Sequence, residues 1–60
     1  MYKINDVIPV SWGKYYLVVD CPYEGNENYL LKKITFDEAM SHKNYRLNFE
    51  GLPEHYVIQK

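Results

Sequence analysis

A single cysteine decides how this 60-residue chain must hold itself together. Cys21 has no partner within the chain, so no internal disulfide can staple the fold. A domain this short buries only about 60% of the surface its unfolded form exposes, and small domains often rely on a disulfide, a metal or a partner. The remaining source of stability is large apolar side chains. Seven tyrosines, two phenylalanines and one tryptophan make the chain 17% aromatic, and each ring can bury roughly 150–250 Å². A lone thiol also fits a reducing compartment, so a cytoplasmic location is expected.

The net charge of −1 comes from seven basic and eight acidic residues. Lys32-Lys33 is the only basic pair. Nucleic-acid binders usually carry a basic stripe, because phosphate contacts dominate their affinity, so the balance argues against DNA or RNA. Weak single-stranded binding through stacked tyrosines with Lys32 and Lys33 stays open as an alternative. No apolar stretch approaches the roughly 18–20 residues of a membrane span, and residues 1–6 lack a signal-peptide pattern. One intact domain over 1–60, with no membrane partner, is the expectation. Richness in Tyr, Asn, Lys and Ile hints at an AT-rich coding sequence, which makes a phage or mobile-element protein an expected source.

Along the chain, Asp6 to Val10 reads as a short strand. Pro9 lacks an amide hydrogen, which places this strand at an edge or at a bulge. Gly13 offers positive φ for a turn over Ser11-Trp12-Gly13-Lys14. Lys14 to Cys21 is aromatic and β-branched almost throughout, which predicts a central strand covered on both sides and a buried Cys21. Pro22 to Asn28 is a solvated loop or hairpin tip beside the acidic Asp20, Glu24 and Glu27. Tyr29 to Ile34 is the next strand. Thr35-Phe36-Asp37-Glu38 has the capping-box pattern, so a short helix runs to about His42 with Phe36, Ala39 and Met40 on one face. Asn44 to Phe49 alternates, with Tyr45, Leu47 and Phe49 on one side. After a turn over residues 50–54, His55 to Gln59 is the last strand.

The segment Leu52-Pro53-Glu54-His55-Tyr56-Val57 resembles the closing signature of Src-homology-3 domains: an apolar residue, Pro, two further residues, then Tyr-Val. In that family the Pro precedes the last strand, and the Pro and Tyr line a groove for proline-rich peptides. The resemblance implies that Pro53 and Tyr56 are groove residues and that Val57 is core. It covers six residues, and Trp12 lies earlier than the family's groove tryptophan. The expected fold is mainly β: a small five-stranded, partly open antiparallel barrel, Src-homology-3-like, with one short helix near 36–42. A three-to-four-stranded antiparallel sheet with the helix on one face is the alternative.

Catalytic chemistry has little to work with. A nucleophile needs a base and an orienting group within reach, and Cys21, His42 and His55 are the only Cys and His residues. Cys21 is better read as a small hydrophobe and His42 as a helix terminus. Neither His-x-x-x-His nor Cys-x-x-Cys occurs, no calcium loop is matched, and the glycines are too far apart to cradle phosphate. No catalytic residue, metal or cofactor is therefore expected, and the chain reads as a non-enzyme. The aromatic surplus points elsewhere, because Tyr and Trp are favoured at interface hot spots. The expected activity is binding another protein or peptide, with a host protein as the expected partner of a phage or mobile-element source. Trp12, Tyr23, Glu24, Tyr29, Pro53 and Tyr56 are the expected contact residues. A homodimer or other homo-oligomeric structural component is the alternative, since edge strands and exposed rings can pair with a copy of the same chain.

Overall fold

The structure is a computed structural model, and it describes residues 2–11, 13–42 and 51–60. Four strands and one helix follow one another as β1 (Val7–Ser11), β2 (Lys14–Asp20), β3 (Tyr29–Ile34), α1 (Phe36–Ser41) and β4 (Tyr56–Gln59). The strands form one sheet in the order β1-β2-β3-β4. β1, β2 and β3 are an antiparallel meander, and β4 lies parallel to β3 with Tyr29 opposite Tyr56 and Leu31 opposite Ile58.

The mainly β expectation holds, and so do the helix and the central place of β2. The sheet is mixed and open rather than an antiparallel barrel. β4, which follows α1 in the chain, pairs parallel to β3, an arrangement that needs a crossover connection and not a hairpin. The strand expected at 44–49 and the ring of Trp12 lie outside the described residues. β1 and β4 are opposite edges of the described sheet. The alternative, a three-to-four-stranded antiparallel sheet with the helix on one face, matches the strand number, but the parallel β4 departs from it.

Alternation along β1 and β2 splits the core in two. On the helix side Val7, Ile34 and Ala39 are buried against Tyr15 and Leu17. On the other side Ile8, Val18 and Leu31 are buried, and Tyr2, Val10, Tyr16, Cys21, Tyr29 and Leu52 pack around them. Three of the seven tyrosines thus close the rim of the second layer. Cys21 is half-buried, not buried. It follows a register shift between Val18 and Asp20 that turns the chain out of the sheet, and its Sγ donates to the Tyr2 carbonyl at 3.6 Å.

Pro9 acts as its chemistry requires. β1 is an edge strand, and its register with β2 shifts between Pro9 and Ser11. Ahead of β1, the Asn5 N–H donates to the Val18 carbonyl at 2.8 Å and the Val18 N–H to the Asp6 carbonyl at 2.9 Å. Asp6 therefore precedes the strand rather than starting it. Its side chain is buried and accepts the Lys3 N–H at 2.8 Å. Asn5 takes φ 73°, a left-handed conformation that Asn tolerates better than most residues.

The capping box is formed in full. Thr35 Oγ1 accepts the Glu38 N–H at 3.2 Å, and Glu38 Oε1 accepts the Thr35 N–H at 3.2 Å. The bond from the Thr35 backbone, then the one from its hydroxyl, holds the Glu38 carboxyl below the usual glutamate range. The folded state thus favours the carboxylate. The box's contribution is complete above the unfolded glutamate pKa, near 4.3, and is lost as pH falls through the lower folded value. The chemical shift of the Thr35 amide proton should follow the Glu38 carboxyl with a midpoint below that ordinary value, and Glu38→Gln should abolish the step. A midpoint at or above the ordinary value, read by NMR, contradicts a formed box.

The expected apolar face of α1 is narrower than its spacing suggests. Ala39 alone is buried, while Phe36 and Met40 are 54% and 61% exposed. Phe36 still meets Tyr15, with ring centroids 5.8 Å apart. Six residues span little more than one and a half turns, so one small residue seats the helix and its neighbours overhang the sheet.

Candidate functional site

The acidic loop after β2 is braced by its own backbone. Tyr23 and Asn26 exchange both N–H to carbonyl bonds at 2.9 Å. Gly25, at the third position of this turn, takes φ 94°, which a side chain would strain. The Asn28 N–H donates to Asn26 Oδ1 at 3.1 Å, and the Cys21 N–H to Asp20 Oδ1 at 2.9 Å. A fixed hairpin tip is the result, with Tyr23 59% exposed and Glu24 exposed beside it.

β4 begins at the same end of the sheet. Tyr29 of β3 donates its N–H to the His55 carbonyl at 3.0 Å, which brings Tyr56 alongside Tyr29. A cleft of about 210 Å³ opens between the loop and the strand, lined in part by Asp20, Tyr23, Asn28, Tyr29, Leu30 and Val57. A larger open groove of about 680 Å³ is lined by Tyr2, Lys3, Ile4, Cys21, Pro22 and Tyr29. Tyr29 borders both, and its ring stands edge-on to that of Tyr2 at 5.8 Å.

Four of the expected contact residues therefore gather at one end: Tyr23, Glu24, Tyr29 and Tyr56. Pro53 is half-buried just before them, beside Leu52, which packs on the core. Trp12 lies outside the described residues. Val57 is not core as the resemblance implied. It is 50% exposed in β4, an edge of the described sheet, and all four residues of β4 are exposed. Val57 and Ile58 are contact candidates that sequence reasoning missed. The signal lay in Tyr56-Val57-Ile58-Gln59, an apolar strand with no charge or proline to protect an edge.

Among the described residues, acidic side chains outnumber basic ones at this end, where Lys3 in the larger groove is the cation. Asp20, Glu24, Glu27 and Glu54 are all exposed around the hairpin tip and the start of β4. Among the described residues, no group of three or more His, Cys, Asp or Glu side chains is placed to hold a metal ion. Among the same residues, no helix is long and apolar enough to cross a membrane. Compared with known proteins, the chain matches no family model, no curated protein and no solved structure.

Proposed function

We propose that the chain is a small, non-catalytic protein-interaction module that offers the outer edge of β4, and the tyrosines at its start, to an extended segment of another polypeptide. One observation carries this reading. The two edges of the sheet are treated differently: β1 is blunted by Pro9 and a register shift, whereas β4 is exposed at every residue and, among the described residues, has no strand on its outer side. An edge of that kind is a template for strand addition, in which main-chain bonds supply affinity and side-chain pockets supply specificity. The cleft holding Tyr23 and Val57 supplies such a pocket. The acidic surround favours a segment with basic residues. A Src-homology-3-like groove at Pro53 and Tyr56 for a proline-rich segment is a finer form of the same reading, with Tyr56 at the contact in both.

The test is capture of partners from native cell extract. Tyr23→Ala combined with Tyr56→Ala should weaken binding by about 2 kcal/mol or more, roughly thirtyfold in Kd. Both rings are exposed, so the unfolding midpoint should stay within about 0.5 kcal/mol of the parent in stability. Full retention of the partner by the double variant rejects this surface.

A further inference from the structure

Resting on the reading of β4 as the contact edge, we infer that the strand it takes up is β4 of a second copy, paired antiparallel about a twofold axis at Val57. The backbone fixes the geometry. The Tyr29 N–H bonds to the His55 carbonyl, and the parallel register of β3 and β4 then turns the backbone groups of His55, Val57 and Gln59 inward. Those of Tyr56 and Ile58 point outward. A twofold axis at Val57 sets Tyr56 of one copy opposite Ile58 of the other, so these two residues exchange both backbone bonds and symmetry repeats the exchange. Every outward group within the strand finds a partner.

The side chains agree with that register. Tyr56 against Ile58 is an aromatic and β-branched pair, a favourable cross-strand combination. Val57 meets its own copy on the opposite face. Beyond the strand, Glu54 of each copy lies across from Lys60 of the other, and both residues are exposed. The edge is thus charge-complementary to itself. An axis at Ile58 would instead set Tyr56 against Lys60 and take Lys60 away from Glu54. Self-pairing is isologous and closes at two copies, so it removes both apolar edges without building a fibre.

Sedimentation equilibrium over a concentration series tests this, with hydrogen exchange at the Tyr56 and Ile58 amides. The parent should approach twice the chain mass, with both amides protected as concentration rises. Ile58→Pro removes an outward N–H while sparing the ladder with β3, and should yield a folded monomer. Should that variant fail to fold, charge reversal decides. Glu54→Lys should raise the dimer Kd by on the order of tenfold, and adding Lys60→Glu should restore it. A parent that stays monomeric at every concentration overturns self-pairing. The module reading then stands or falls on the tyrosine-dependent capture described above. A dimer indifferent to Ile58→Pro and to charge reversal, with Tyr56 and Ile58 unprotected, overturns self-pairing through β4 and removes β4 as the contact edge as well.

Discussion

Leu31→Ala is expected to unfold most of the chain at room temperature. Leu31 has 0% exposure and sits in β3 between Val18 of β2 and Ile58 of β4, packed with Ile8 and Val18. Leu-to-Ala changes at such sites cost about 2–5 kcal/mol, the lost transfer energy plus that of the cavity left behind. Collapse of the site is limited, since the half-buried Tyr2, Tyr16 and Tyr29 form its rim and are committed to their own contacts. A single core in a chain this short rarely supplies more than about 3–5 kcal/mol in total. One truncation therefore consumes most of the margin. Urea denaturation followed by aromatic fluorescence should show little or no folded baseline for Leu31→Ala, while Val57→Ala, half exposed on the edge, should shift stability by no more than about 0.5 kcal/mol. A cooperative transition for Leu31→Ala within 1 kcal/mol of the parent, on the same scale, would mean that the layer around Ile8 and Val18 does not hold the sheet.

What the sequence made legible was local. Tyr29 to Ile34 and the Thr35 capping box are set by neighbours one to four residues away, and both are found where the pattern puts them. Pro9 announced an edge because a missing N–H has the same consequence in any fold. The direction of β4 was not legible. Val57 alternates with Tyr56 and Ile58 whether the strand is central or at an edge, parallel or antiparallel, and the pairing partner is a long-range choice. The face of α1 failed for a related reason. Spacing groups Phe36, Ala39 and Met40, but how far the helix overhangs the sheet depends on where β2 and β3 end beneath it. At the candidate site, composition flagged Tyr23, Tyr29 and Tyr56 one by one. Their meeting at one end depends on the parallel register of Tyr29 with Tyr56.

Ala39→Leu should detach the helix while leaving the meander folded. Ala39 has 0% exposure and is the one buried residue of α1, seated on Val7 and Ile34. A methyl group allows the helix axis to approach the sheet, and Tyr15 and Phe36 close the contact at its side. Leucine is nearly as good a helix former as alanine, so propensity barely changes. Its extra carbons have no room, and overpacking of this kind costs typically 1–3 kcal/mol. A six-residue helix cannot stand without its tertiary contact, so the loss should appear as undocking rather than as a strained but docked helix. Hydrogen exchange should show the amides of Glu38 and Ala39 losing protection, with Val18 retaining most of its own, because local opening need not involve the other core layer. Met40→Ala, on the exposed side of the same helix, should change neither. If Ala39→Leu instead raises stability, space lies beneath α1, and the close seating of the helix on Val7 and Ile34 is wrong.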